Sequence, residues 1–98
     1  MKLRDFFALT EYMPGQTLLY GQIGTDRTQI VPLSQLTFLT GQDEIALVAG
    51  NRPLTLDQVQ TRTSQVSPNA ILFCQVSQEP AKALLGFHQD DQGRLVLQ

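Results

Sequence analysis

Turn-forming residues interrupt this chain of 98 residues so often that no long apolar segment forms. Short apolar runs are separated by breaks rich in Gly, Pro, Asn and Asp, such as 24–28, 67–70 and 90–93. This alternation is typical of short β-strands joined in hairpins. It predicts a single domain, 1–98, of class α+β and rich in β-structure. We expect one N-terminal helix packed on an antiparallel sheet, or on a small barrel built from hairpins.

The helix is predicted over the first ten residues. Leu3, Phe6, Phe7 and Thr10 recur at the spacing of one helical face, and Pro14 ends the pattern. Such a short helix is marginal alone, so we expect its two Phe side chains to hold it against a sheet face.

The first hairpin is predicted from residues 17–23 and 29–31 around the turn 24–28. Residues 33–39 fit a helix as well as a strand, and both interpretations remain open. The sequence at 41–43 ends that segment.

A second hairpin is predicted from residues 45–49 and 52–56, which flank the turn signal Gly50-Asn51. This register pairs Leu47 with Leu54, and Pro53 requires the second strand to be an edge there or to end early. The Thr and Val content of 59–66 then favours an exposed strand. The nearly continuous apolar run 71–76 predicts a central strand covered on both faces.

The last hairpin has two possible registers. A three-residue loop with Gly93 in the left-handed conformation pairs Phe87 with Leu97 and brings Asp90 next to Arg94. We prefer it over a four-residue loop because it separates apolar from polar side chains better.

Composition excludes several classes of protein. The net charge of −2 argues against nucleic-acid binding, and one Cys cannot form an internal disulfide. One His with one Cys makes a structural zinc site improbable. No apolar run reaches the length of a membrane span. The start, with Lys2, Arg4 and Asp5, does not fit a signal peptide, so we expect a cytoplasmic protein.

The candidate catalytic residues are Cys74 and His88. Cys74 lies inside the most apolar predicted strand, where a small buried hydrophobe is the simpler interpretation. His88 falls on the polar side of the last hairpin, where a half-exposed strand residue is expected. We therefore predict no enzyme, no catalytic residue, no metal ligand and no cofactor.

The other chemistry-bearing residues also have simpler explanations. The carboxylates lie at or beside predicted breaks, where solvation of loops explains them. These residues are Asp26, Asp43, Glu44, Asp57, Glu79, Asp90 and Asp91. Arginines near predicted hairpins are expected to be independently solvated, and they are Arg27, Arg52, Arg62 and Arg94. The spacing of Gly21 and Gly24 matches some RNA-clamping loops, but strand termination explains it without basic neighbours.

What remains is a surface for other proteins. The charged fraction is 16%, thirteen Gln are present, and only Lys2 and Lys82 supply the lysines that usually guard sheet edges. We therefore expect a small non-enzymatic interaction or assembly module, with a protein partner or self-association through a sheet edge. Interface anchors could come from Tyr12, Met13 and Tyr20, but packing of the helix on the sheet is the simpler interpretation of these residues. The alternative function is small-ligand binding in a pocket between the N-terminal helix, at Phe6 and Phe7, and the sheet.

Overall fold

A computed structural model describes residues 1–39 and 43–98, which form two helices and one seven-stranded sheet. The elements in chain order are α1 (Leu3–Thr10), β1 (Leu19–Gln22), β2 (Ile30–Phe38), β3 (Glu44–Ala49), α2 (Leu56–Arg62), β4 (Ile71–Gln75), β5 (Lys82–Ala83), β6 (Phe87–Gln89) and β7 (Leu95–Leu97). The strand order is β5-β4-β3-β2-β1-β7-β6. The α+β class and the predominance of sheet are confirmed.

The sheet is mixed, so the expectation of an antiparallel sheet holds only in part, for four of the six strand pairings. β3 pairs with β4 in parallel, and β1 pairs with β7 in parallel. Parallel neighbours that follow each other in the chain need a crossover connection, usually a helix. Here that crossover contains α2, so a second helix is present where only one was predicted.

The strand predicted over 59–66 is wrong, because residues 56–62 form α2. The Thr55 hydroxyl accepts a hydrogen bond from the Gln58 N–H (3.1 Å), and the Gln58 side chain accepts one from the Thr55 N–H (2.9 Å). This reciprocal pair is a capping box. Leu56 and Val59, one turn apart, are buried. The cap and the buried stripe outweigh the β-branched content of the segment.

The hairpin predicted across Gly50 and Asn51 is also wrong. A type I′ turn needs a positive φ at both central residues. Over the described ranges, only Gly24 and Gly93 have a positive φ. Both edges of β3 are already occupied, by β2 and β4.

The segment that follows β3 therefore makes different contacts. Leu54 donates its N–H to the carbonyl of Leu33 (2.7 Å), and its own carbonyl accepts the N–H of Leu19 (2.9 Å). A single bridge also joins Leu18 to Thr55. These contacts tie the start of α2 to β1 and β2.

The ambiguous segment 33–39 is a strand up to residue 38, as the second half of β2. Residues 30–32 pair with β1, and residues 33–38 pair with β3, with a register shift at Ser34. A bulge of this kind bends the strand, so β2 turns the sheet between its two neighbours. The predicted end of the segment includes Gly41 and Gln42, which lie outside the described residues.

Two of the predicted hairpins are confirmed. β1 and β2 pair in antiparallel fashion, with Gly21 opposite Val31. β6 and β7 pair in the preferred register, with Phe87 opposite Leu97, and Gly93 has a φ of +79°. Leu85 precedes β6 and is 86% exposed.

The two outermost strands, β5 and β6, follow each other in the chain, and the segment between them connects the two ends of the sheet. Leu84 donates its N–H to the carbonyl of Leu72 in β4 (2.9 Å). Gly86 exchanges two hydrogen bonds with Gln98, just beyond β7 (2.9 and 3.1 Å). The sheet therefore curls into a half-barrel.

The outer edge of β4 is covered by the chain itself. Beyond β5, the N–H of Leu72 binds the carbonyl of Met1, and Leu3 donates to the carbonyl of Ala70 (both 2.8 Å). β4 is thus not the middle strand of the sheet, and within it only Leu72 is fully buried. The prediction that both of its faces are covered holds only in part.

The core contains side chains from both helices and from most strands. Phe6 of α1 is fully buried, and its ring packs edge-to-face against Phe7 (5.6 Å) and against Phe87 of β6 (5.8 Å). A buried Thr lies at the carboxyl end of each helix, Thr10 as the last residue of α1 and Thr63 directly after α2. Each hydroxyl donates to the carbonyl four residues earlier, Thr10 to Phe6 and Thr63 to Val59.

Candidate ligand cavity

A cavity of about 460 Å³ opens at one end of the half-barrel. The pairings make β1, β4 and β7 run in the same direction, so their carboxyl ends meet at this rim. β5 closes the remaining side. The cavity is lined by Gln22, Ile23, Gly24, Cys74, Val76, Ser77, Glu79, Pro80, Lys82, Ala83, Leu97 and Gln98.

Gly21 brings two distant strands close together beneath this rim. A Cβ at position 21 would lie 2.5 Å from Cγ1 of Val76 and 3.2 Å from Cδ2 of Leu33. Because β2 and β3 separate β1 from β4 in the sheet, the Gly21–Val76 contact crosses the concave interior. Glycine is required there by close approach, and Val76, the residue that it meets, lines the cavity.

The walls of the cavity are mainly apolar, with contributions from Ile23, Val76 and Leu97. Its two charged side chains pair with each other, since Lys82 Nζ lies 3.7 Å from a Glu79 carboxylate oxygen. Both side chains are well exposed, at 80% and 73%. The charges therefore lie at the solvent-facing rim, where such pairs contribute little to stability.

Gln22 is the lining residue with an unused buried polar atom. Its Nε2 donates to the carbonyl of Gly24 (3.0 Å), while its Oε1 is buried without a hydrogen-bond partner among the described residues. A buried acceptor without a donor is costly, by about 1–3 kcal/mol. The amide oxygen of Gln22 therefore lacks a donor, and in this side-chain conformation it has no surface open to the cavity.

Cys74 also lines the cavity, near the end of β4. Burial raises the pKa of its thiol to about 12. A thiol that stays protonated at neutral pH is a poor nucleophile and a poor metal ligand. Its chemistry here is that of a small, weakly polar wall residue.

His88 lies elsewhere, on β6 opposite Val96, and it does not line the cavity. Its Nδ1 is buried and has no hydrogen-bond partner among the described residues. The fold thus does not bring His88 and Cys74 into the same cavity, and the pair does not form a nucleophile and base.

The candidate carboxylates have local roles at different places in the fold. Asp26 accepts two hydrogen bonds from Thr28 within one turn, and the side-chain bond is the main cause of its lowered pKa. Asp57 lies in the first turn of α2, and Glu79 pairs with Lys82. Asp43 contributes its carbonyl to the N–H of Ile71.

Asp90 forms a closer ion pair, because its carboxylate accepts a hydrogen bond from Arg94 Nε (2.6 Å). Burial raises the pKa of Asp90, but hydrogen bonds from Arg94 and from the N–H of Gln92 outweigh it and leave the pKa below its ordinary value. The Arg94 guanidinium also lies over the ring of Tyr20 (5.1 Å). The pair that the preferred register placed at this hairpin is confirmed.

The other candidate residues do not converge on a site. Arg27, Arg52 and Arg62 are exposed in a turn, a loop and α2 respectively. Gly21 is a buried strand residue, and Gly24, with a φ of +64°, belongs to the turn after β1. No helix begins in the described chain after this pair of glycines until Leu56.

Two smaller cavities flank α1. One of about 340 Å³ contains Leu3 and Phe7 with residues of α2 and the turn after it, and one of about 250 Å³ contains Thr10 and Leu56. Both lie between the two helices, with no strand residue in their linings. The pocket expected between α1 and the sheet stays a prediction.

Within 1–39 and 43–98, no group of three or more His, Cys, Asp or Glu side chains is placed to hold a metal ion. In the same part of the chain, neither helix has the length and apolar character needed to cross a membrane. Comparisons of the chain with protein-family models, curated proteins and solved structures give no match.

The sequence analysis did not predict this cavity, because its lining comes from three separated segments of the chain, 22–24, 74–83 and 97–98. One signal was present, since Gly21 interrupts the apolar run 17–23 and a glycine inside a strand often marks close backbone approach. That signal does not identify Val76 as the opposing residue.

Proposed function

We propose that this chain is a small non-enzymatic domain that binds a small molecule in the cavity at the mouth of its half-barrel. The observation that carries the proposal is the cavity itself, with about 460 Å³ enclosed by the carboxyl ends of β1, β4 and β7. Ligand pockets have volumes of roughly 300–1,000 Å³ and mainly apolar walls with a few polar groups. In this proposal α1 covers part of the sheet through Phe6 and leaves the mouth open.

Binding rather than catalysis is supported by the chemistry of the lining. The Cys74 thiol has a pKa of about 12, and His88 lies outside the cavity. Acid–base catalysis commonly uses two carboxylates whose pKa values differ. The charged residues of this lining are instead Lys82 and Glu79, which form an exposed ion pair. The cytoplasmic location stays a prediction.

The test is a backbone-amide NMR spectrum recorded during titration with a library of small neutral and charged organic fragments. We expect at least one fragment to cause saturable shifts centred on Ile23, Val76, Ala83 and Leu97. Absence of any saturable shift at these residues up to millimolar concentration would overturn the proposal, as would binding centred on another surface.

A second candidate function is self-association, or strand addition by a protein partner, at the edge of β6. Because Gly86 and Gln98 exchange hydrogen bonds, the alternation of an antiparallel pair directs the N–H groups of Phe87 and Gln89 away from β7. This edge is three residues long. Leu85, directly beside it, is almost fully exposed and apolar.

Light scattering with Gln89→Pro and Gln89→Ala tests this second candidate. Proline removes an outward N–H without removing a hydrogen bond to β7, while Ala keeps it. Concentration-dependent dimerisation that Gln89→Pro weakens and Gln89→Ala preserves is the expected result. A monomer at all concentrations, or equal dimerisation of both variants, would contradict it.

A further inference from the structure

The side-chain charges of the cavity give no advantage to a charged ligand. Lys82 and Glu79 are its two charged side chains, they have opposite signs, and they lie 3.7 Å apart at the exposed rim. A ligand anion attracted by Lys82 would be repelled by the nearby Glu79 carboxylate. A ligand cation attracted by Glu79 would likewise be repelled by Lys82. Exposed pairs of this kind are strongly screened.

The other walls of the cavity are mainly apolar, and they include the buried Leu97 and the half-buried Val76. Moving an unpaired charge into such surroundings is costly, whereas an apolar body gains by leaving water. A water-sized group occupies about 30 Å³, so 460 Å³ holds roughly fifteen such groups. A ligand that leaves some space has about ten to twelve non-hydrogen atoms.

The polar requirement comes from Gln22. Its Nε2 is already bonded to the Gly24 carbonyl, and its buried Oε1 accepts no hydrogen bond from the described residues. Oε1 has no accessible surface in this conformation, so the Gln22 side chain must rotate to present it to a ligand. The group presented is then an acceptor, which calls for an N–H or O–H donor.

Resting on the proposed function, we infer that the ligand is an uncharged small molecule with an apolar body and one hydrogen-bond donor, which binds the Gln22 side-chain oxygen once that side chain has rotated into the cavity. Alcohols and primary or secondary amides with an aromatic or branched aliphatic body belong to this class. Carboxylates and amines of the same size do not.

Four probes with one common body test this inference by NMR titration: 4-phenylbutanol, its methyl ether, 4-phenylbutanoate and 4-phenylbutylammonium. The alcohol should bind at least about tenfold more tightly than either ion, because no unpaired charge in the cavity compensates desolvation. It should bind about threefold to tenfold more tightly than the ether, which lacks the donor. Gln22→Leu should remove the difference between alcohol and ether.

The outcomes separate the two proposals. If an ion binds at the cavity residues as tightly as the alcohol, or if the alcohol and ether bind equally to the wild type, this inference is overturned while the ligand cavity stands. If none of the four probes shifts the cavity residues up to millimolar concentration, both proposals fail.

Discussion

Gly21 of β1 and Val76, just beyond β4, meet across the interior of the curled sheet, with two strands between them in sheet order. The space for a Cβ at position 21 is occupied by Cγ1 of Val76 at 2.5 Å. This contact sets how closely the two walls approach beneath the cavity. The absence of a side chain at position 21 therefore permits the close approach that the curled sheet requires.

Replacing this glycine should therefore destabilise the protein. Alanine is normally better than glycine in a strand, yet Gly21→Ala forces Val76 or the strand to move. We expect a loss of about 1–3 kcal/mol in the free energy of unfolding, the usual cost of overpacking. Urea denaturation followed by circular dichroism measures it.

The double variant identifies the cause. In Gly21→Ala/Val76→Ala the space lost at one position is returned at the other, so part of the loss should be recovered relative to the sum of the single variants. Strict additivity of the two changes, or a neutral Gly21→Ala, would contradict the close approach.

The capping box of α2 gives a second prediction. Thr55→Ala removes the hydroxyl that accepts the Gln58 N–H, and it should lower the free energy of unfolding by about 0.5–2 kcal/mol. Thr61→Ala is the matched control, because Thr61 is exposed within the same helix. Its effect should be near zero or slightly stabilising, since Ala is the better helix former. Equal losses for the two variants would rule out the cap.

The Asp90–Arg94 pair gives a pH-dependent prediction. The folded pKa of Asp90 lies below its ordinary value of 3.8, so the stabilisation is present above that value and is lost as the pH falls through the folded pKa. Asp90→Asn should cost up to about 1 kcal/mol near pH 7, and less in acid. Unfolding at pH 7 and near pH 3 measures the difference.

Asp91→Asn is the control for that comparison, because Asp91 is exposed in the same turn. It should show no comparable loss at pH 7. A stability difference between wild type and Asp90→Asn that stays constant or grows in acid would contradict the role of the ion pair.

The thiol of Cys74 should react slowly in the folded protein. With a pKa of about 12, its rate of alkylation by iodoacetamide should rise about tenfold for each pH unit without levelling off below pH 10. The urea-unfolded chain is the reference, since its thiol titrates near the ordinary value of 9.0. A plateau near pH 9 in the folded protein would contradict the burial of this thiol.

Local features were the part of the fold that the sequence predicts well. The register of β6 and β7 follows from Gly93, the Asp90–Arg94 pair and the alternation of apolar residues within a few positions. The helix α1 follows from one stripe of apolar side chains. The capping box at Thr55 and Gln58 was equally local, and giving priority to β-branched content over it produced the wrong strand.

Long-range pairings were beyond the reach of the same reasoning. Nothing near β3 indicates that β4 will pair with it in parallel, or that β7 will lie beside β1. The cavity depends on both pairings, and on segment 84–86 connecting the two ends of the sheet. Its lining could therefore not be assembled from the sequence, although individual members such as Cys74 were singled out.

The most direct test of the ligand cavity compares the affinity of 4-phenylbutanol for two variants with the same chemical change. Ala83→Leu adds a larger side chain to the cavity wall on β5, while Ala8→Leu adds it at an exposed position of α1. The account predicts that Ala83→Leu raises the dissociation constant by at least about tenfold and that Ala8→Leu leaves it unchanged. Equal affinity of the two variants would contradict it.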